Sequence, residues 1–193
     1  MRRELRLLSK RIVDIVLSIL ITLILSPLFF LVAILVKLAS KGPVFFRHAR
    51  VGKNEEPFQM WKFRTMTHGA DQIGPGLTED EDSRITGVGK FLRRLSLDEL
   101  PQLFNVMLGE MSLVGPRPEI PEIVQTYSPQ QKKALSIRPG ITGLSQISGR
   151  DDLPIDIKLN LEVEYVETVS MGLDFKILLK TIPTIINARG NRY

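Results

Sequence analysis

The chain has 193 residues, no cysteine and two histidines, with 26 Lys plus Arg against 21 Asp plus Glu. That length allows one ordinary domain, or a small domain with an anchor. The composition excludes disulfide scaffolds and cysteine-ligated metal sites, and His48 and His68 are too far apart for a local histidine pair on zinc.

The net charge of +5 sits at one end. Residues 1–53 hold ten basic and two acidic side chains, a net +8, and the other 140 residues carry −3. This distribution argues against a general nucleic-acid surface. Between two basic clusters, Ile15 to Val36 contains no charged residue. Its 22 residues make about 33 Å of helix, enough for a hydrocarbon core of about 30 Å.

Ser26-Pro27 falls in the middle of this stretch, where proline removes a backbone donor and kinks a helix. Two geometries stay open at this point. One is a proline-kinked single span. The other is a re-entrant helix-break-helix that returns to the cytoplasmic side, which both basic flanks favour. A cleaved signal peptide fits less well, because the apolar region is too long for one.

After Lys41-Gly42-Pro43 the composition becomes that of a soluble chain large enough for one core. Val44 to Val51 and Phe58 to Met66 read as a β-hairpin around Gly52-Lys53-Asn54. Residues 69–83 read as a polar, mobile loop with a solvated acidic run. A helix is predicted around Leu100 to Leu108, stopped by Gly109. Ser128-Pro129-Gln130-Gln131 has the pattern of another helix start with a capping box. From Leu153 to Val163 strict alternation favours a strand while the Lys, Leu and Glu content favours a helix, and that choice stays open. Asp174 to Ile186 is an amphipathic helix containing Pro183, able to pack on the core or lie on a membrane.

Common nucleotide and hydrolase fingerprints are missing. Gly87-Val88-Gly89-Lys90-Phe91 lacks the Ser or Thr of a P-loop, and no Gly-x-Ser-x-Gly occurs. The informative run is Arg93-Arg94-Leu95-Ser96-Leu97-Asp98-Glu99-Leu100-Pro101-Gln102. Pro101 confines the helix start to about Asp98, so two carboxylates lie at its positive end, with Arg93 upstream as a phosphate ligand. The plain alternative is a capping box, Ser96 to Glu99, with no chemistry at all. Gly115-Pro116-Arg117-Pro118-Glu119 clamps an arginine between prolines, and Lys62-Phe63-Arg64 offers two more cations. Arg138-Pro139-Gly140-Ile141-Thr142-Gly143 and Gly149-Arg150 add rigid cationic turns. An acidic pair among arginines and lysines suits a divalent metal and a diphosphate.

Taken in order, these segments resemble a known family: Lys10-Arg11-Ile12-Val13-Asp14, Ser26-Pro27, Gly42-Pro43-Val44-Phe45-Phe46, Lys62 to Met66, Ser96 to Gln102, Gly115 to Pro118 and Arg138 to Gly143. The chain is similar to the bacterial sugar transferase family, the monotopic polyprenyl-phosphate phosphoglycosyl transferases, and within it to the minimal catalytic unit. His48 stands where glutamine is usual, and Glu55-Glu56 replaces a glycine-containing turn.

The resemblance implies an α+β, mainly helical fold. A re-entrant membrane anchor broken at Ser26 and Pro27 would occupy residues 1–41. A small cytoplasmic catalytic domain containing the hairpin would occupy residues 42–193, on the cytoplasmic face of the bacterial plasma membrane. It further implies transfer of sugar-1-phosphate from a UDP-sugar to undecaprenyl phosphate, with release of UMP. Asp98 would be the nucleophile, with Glu99 orienting it and both carboxylates attending Mg²⁺. Arg93, Arg117, Lys62, Arg64, Gln102 and Arg150 would bind substrate. Membrane lipids are expected partners and nucleic acid is not. The competing expectation is a non-catalytic, membrane-anchored interaction module.

Overall fold

A computed structural model describes residues 2–70 and 82–187; the acidic run expected in a mobile loop lies mostly outside them. Helix α1 (Arg2–Ile24) is followed by α2 (Ser26–Ala39), and the two axes meet at 64°. Neither helix alone is long and apolar enough to cross a membrane. The bend has a local cause. Pro27 cannot donate to the carbonyl of Leu23, and the Ser26 hydroxyl donates to it instead at 2.8 Å. The first arm is longer than the apolar stretch because the basic N-terminal cluster continues in the same helix.

Strands β1 (Phe45–Val51) and β2 (Pro57–Phe63) form the expected antiparallel hairpin, with Phe46 opposite Lys62 and Arg50 opposite Phe58. Its turn departs from the usual hairpin chemistry. Asn54 and Glu55 both take positive φ, 57° and 65°, and Glu55 is held there by Lys132 at 3.0 Å. Helix α3 (Gly87–Arg94) is capped by Thr86, whose hydroxyl accepts from the Gly89 N–H at 2.9 Å. Gly89 lies so close to the Thr65 backbone that a side chain would have no room.

A 3-10 turn, Leu97–Glu99, leads into α4 (Gln102–Leu108), which ends at left-handed Gly109. Then come β3 (Ser112–Val114), the short α5 (Pro121–Val124) and a 3-10 turn over Gln131–Ser136, entered through a reciprocal capping box. The Ser128 N–H donates to Gln131 Oε1 at 2.8 Å, and the Gln131 N–H to Ser128 Oγ at 3.3 Å. Strand β4 (Gly140–Thr142) pairs with β3 in parallel, and α6 (Leu144–Ser148) follows. The ambiguous segment is a helix, α7 (Ile155–Thr168), and α8 (Met171–Ile186) closes the described chain.

The main core joins Phe58 and Met60 of the hairpin, Leu103 and Val106 of α4, Leu113 and Val114 of β3, Tyr165 and Val166 of α7, and Ile177 of α8. A second cluster packs Val32 and Val36 of α2 on Phe63 and Leu92. Each such fully buried side chain contributes about 1.5–3 kcal/mol. The bent pair is thus seated on the body along one face. Its other face exposes Leu8, Ile12, Val16, Leu23, Phe30 and Leu38. Helix α8 likewise buries Ile177 while exposing Phe175, Leu179, Ile182 and Ile186 along one stripe.

The basic flanks are not simply a collar of free charge. The Lys10 ammonium bonds Asp174 at 2.7 Å, and the Arg11 guanidinium donates to the Val106 carbonyl at the end of α4 at 2.6 Å. Lys37 donates to the Gly42 carbonyl, and Arg47 stacks 3.8 Å above the Trp61 ring. Lys10 and Arg11 thus dock α1 to α8 and α4, while Lys37 bonds the turn after its own helix and Arg47 bonds within the hairpin.

Candidate active site

Asp98 and Glu99 stand on the 3-10 turn between α3 and α4, and the capping box that was the plain alternative for Ser96 to Glu99 does not form there. Ser96 adopts a left-handed conformation, φ 53°, and makes no side-chain cap. Its hydroxyl instead accepts from Arg150 Nη2 at 3.1 Å. The Glu99 side chain turns away from the helix end to the Lys62 ammonium, 2.7 Å from its Oε1. The same ammonium is 3.8 Å from Asp98 Oδ2. Asp98 is only 6 % exposed.

Burial pushes both carboxyl groups toward the neutral form, and the partners divide them. For Glu99 the charges of Lys62 and Arg117, with the Lys62 hydrogen bond, outweigh burial and hold its carboxyl below the usual range. For Asp98 burial wins over Lys62, and neighbouring Glu99 adds to the rise. The pair therefore holds one firmly ionised carboxylate beside one that resists ionisation until further positive charge arrives.

Arg117 Nη2 lies 3.9 Å from Glu99 Oε1. The arch that carries it, Gly115 to Glu119, is held from two sides. On one, the Gly140 N–H donates to the Pro116 carbonyl at 2.8 Å and the Gly115 N–H to the Thr142 carbonyl at 2.9 Å. A side chain at Gly140 would collide with the Gly115 backbone, which explains why the Pro-Arg-Pro and Arg-Pro-Gly motifs occur together. On the other side, the Val51 N–H donates to the Glu119 carbonyl at 3.0 Å.

Of the residues expected in the site, Asp98, Glu99, Lys62, Arg117, Arg93, Gln102 and Arg150 come together. Arg93 bonds Thr65 Oγ1 at 2.9 Å and its charge is felt by Asp98. Arg150, at left-handed φ 54° after Gly149, acts on Glu99. Gln102 and Glu99 share the wall of a narrow cleft with Arg117, Met60 and Arg50. Arg64 is not among them. Its guanidinium donates to the Lys41 and Ser40 carbonyls, both at 2.8 Å, at the C-terminal end of α2.

Sequence reasoning missed Arg50, counted there only as flanking charge. It donates to the Pro118 carbonyl at 3.3 Å and pairs with Glu119 at 3.6 Å. Strand alternation could have found it, since Arg50, His48 and Lys62 share one face of the hairpin. The His48 Nδ1 lies 3.3 Å from Arg50 Nη2 and must accept there, because guanidinium has no lone pair to offer. Burial, then Arg50 and Lys62, depress His48 to about 4.

Among the described residues no three His, Cys, Asp or Glu side chains could enclose a metal ion. Two adjacent carboxylates do suit Mg²⁺ that arrives with a diphosphate and keeps most of its waters. The chemistry available is thus nucleophilic attack by a carboxylate on a phosphorus centre, with cations to absorb the developing charge.

The family model described as bacterial sugar transferase matches residues 5–188. An exopolysaccharide production protein ExoY of Sinorhizobium fredii is 41% identical, covering 95% of this chain and 88% of the relative. An undecaprenyl-phosphate glucose phosphotransferase of Komagataeibacter xylinus is 43% identical over 95% of this chain, which spans 37% of that longer protein. A UDP-glucose:undecaprenyl-phosphate glucose-1-phosphate transferase of Caulobacter vibrioides is 40% identical over 93% of this chain and 70% of its own length. With its motifs assembled in one site and its match running nearly end to end, the chain belongs to the bacterial sugar transferase family.

Proposed function

We propose that this enzyme transfers sugar-1-phosphate from a UDP-sugar to undecaprenyl phosphate, releasing UMP and forming the lipid-diphosphate sugar that begins a surface glycan. The observation that carries the reading is the buried Asp98–Glu99 pair, held by Lys62 and attended by the charges of Arg93, Arg117 and Arg150. Relatives of about 40% identity are named for the same transfer.

In this reading the Asp98 carboxylate attacks the β-phosphorus of the donor. The bond from that phosphorus to the bridging oxygen breaks, and UMP leaves with the oxygen. The sugar phosphate is then esterified to Asp98. An oxygen of the lipid phosphate attacks the same phosphorus and the bond to Asp98 breaks, restoring the carboxylate. Lys62 and Glu99 hold Asp98 in place, while Arg93 and Arg117 bind phosphoryl oxygens. Mg²⁺, held by Asp98 and Glu99, would supply charge neutralisation of the diphosphate.

The bent helix pair fits an anchor that dips into the cytoplasmic leaflet of the bacterial plasma membrane and returns. It would hold residues 42–193 at the headgroup level, where a soluble nucleotide and a lipid phosphate can meet. The apolar stripe of α8 would lie on the same interface.

Purified wild type and Asp98→Asn are compared in detergent with a panel of UDP-sugars, polyprenyl phosphate and Mg²⁺. Wild type should release UMP and, without lipid, gain the mass of one sugar phosphate on Asp98. Undiminished UMP release by Asp98→Asn would overturn the mechanism, and no release by wild type across the panel would overturn the activity.

A further inference from the structure

Beneath the arch lies a group that the proposed reaction does not use. Glu162, on α7, is 4 % exposed and lines a second, narrow cleft with Arg117, Pro116, Tyr127 and Ile137. Arg117 thus stands between this cleft and the one that contains Glu99. The Ser145 hydroxyl lies between two oxygens, in hydrogen-bond contact with Glu162 Oε1 and 3.0 Å from Gln146 Oε1. The other Glu162 oxygen, Oε2, is buried with no hydrogen-bond partner.

These contacts constrain the protons. With the Gln146 amide oxygen turned toward it, the Ser145 hydroxyl has one hydrogen for two acceptor oxygens. If Ser145 donates to the Gln146 oxygen, the contact with Glu162 needs a proton from the carboxyl group. At this depth the ionised carboxylate costs more to bury than the neutral acid. Burial raises the Glu162 carboxyl to about 7, against the lowering effects of Ser145 and of the Arg117 backbone N–H and side chain.

We propose that Glu162 is a positioning residue for Arg117. As the neutral acid it donates to Ser145, which donates to Gln146, and this chain clamps α6 and α7 under the arch that presents Arg117 to Glu99. Loss of the proton places a negative charge under Arg117 and breaks the chain. The groups facing Glu162 are Arg117 and Glu119 from the arch, Tyr127 beyond α5, Ser145 and Gln146 of α6, and Tyr165 on its own helix. Arg117 favours its ionisation and Glu119 opposes it. Both tyrosines are pushed up by burial first, so they stay neutral over the range that matters.

The inference rests on the reading of Arg117 as a phosphate ligand, and its test separates the two ideas. Full-length wild type, Glu162→Gln and Glu162→Ala are compared in detergent at pH 6.5 and 8.5, by thermal unfolding and by UMP release with the donor found active. Glutamine can donate to Ser145 as the neutral acid does, without ionising. The wild-type KM for donor should rise about three- to tenfold between the two pH values with kcat little changed. Glu162→Gln should keep the low KM at both, and Glu162→Ala should show a raised KM at both. The midpoint of unfolding should fall with pH more steeply in wild type than in Glu162→Gln.

Coincident melting profiles for wild type and Glu162→Gln would overturn the neutral acid. Equal KM values for all three proteins at pH 6.5 would overturn the positioning role. If wild type neither binds nor releases UMP, the proposed reaction falls and the Arg117 role falls with it, while the melting profiles still decide the proton on Glu162.

Discussion

Lys10 Nζ lies 2.7 Å from Asp174 Oδ2, an ion pair between the first and last helices of the described chain. It is the centre of a buried polar cluster. Asp14 is 3.7 Å from the same ammonium and accepts from Ser112 Oγ at 2.6 Å and from the Leu113 N–H at 3.3 Å. The Tyr165 hydroxyl reaches Asp174 Oδ1 at 2.6 Å and the Val114 carbonyl at 3.1 Å. Helices α1, α7 and α8 are thereby tied to β3, the strand that runs into the arch of Arg117.

Removing the ammonium leaves two buried carboxylates without their counter-charge, which costs about 3–5 kcal/mol. Lys10→Met should therefore lower the unfolding midpoint sharply. Adding Asp174→Asn should recover part of the loss, because one of the stranded charges is removed with it. A double-mutant cycle by thermal unfolding measures this, and strictly additive losses would mean that the two residues are not coupled.

Lys62 supports the site in a different way, through charge. Burial alone would raise the Glu99 carboxyl, and it stays low because Lys62 and then Arg117 oppose that rise. In Lys62→Met the Glu99 pKa should rise by about one to three units. Lys62 also opposes the rise of the Asp98 carboxyl, which must be ionised to attack, so without it the acid limb of UMP release should move to higher pH. The maximum rate should fall by about 10²–10³ with the loss of a charge-stabilising group. An unshifted acid limb would mean that Lys62 does not set the ionisation of the Asp98–Glu99 pair.

How much of this was legible depended on where each side chain's partner lies. Ser128 to Gln131 and Ser96 to Glu99 fit the same box pattern, and only the first forms one. Its partners are local. Ser96 is taken by Arg150 and Glu99 by Lys62, 54 and 37 positions away, and no window of sequence contains those contacts. The break between α1 and α2 was legible because proline and serine act on the adjacent turn.

The helix α7 was not legible for a related reason. Its buried residues at 159, 162, 163, 165 and 166 follow helical spacing, but one of them is a glutamate. A reading that counts only apolar residues sees alternation there instead. The hidden member of the stripe is the residue that lies beneath Arg117. The flanking charge misled similarly, since Lys10 and Arg11 look solvated until α8 and α4 are placed beside them.

Arg64 gives a contrast with Lys62, two positions along the same segment. Its hydrogen bonds go to the Ser40 and Lys41 carbonyls, where the chain leaves α2. Charged hydrogen bonds of this kind contribute about 1.5–3 kcal/mol each. Arg64→Met should cost stability, seen as a lower unfolding midpoint, while activity per folded molecule stays near that of wild type. A collapse of activity with an unchanged midpoint would return Arg64 to the substrate site.

The topology of the bent pair can be tested on the same chain, which has no native cysteine. If the pair is re-entrant, single cysteines at Glu4 and Lys53 lie on the same side, and neither should react with an impermeant thiol reagent applied to intact cells. The bend depends on Pro27, whose missing donor is made good by Ser26. A Ser26→Leu/Pro27→Leu double variant restores an unbroken apolar run with an intact helical hydrogen-bond ladder, long enough to span by the 1.5 Å rise per residue. The cost of exposing either basic flank outside is unchanged, but the straightened helix can no longer return. One of the two cysteines should then become reactive from outside. Labelling of just one cysteine in the otherwise native chain would instead establish a kinked span.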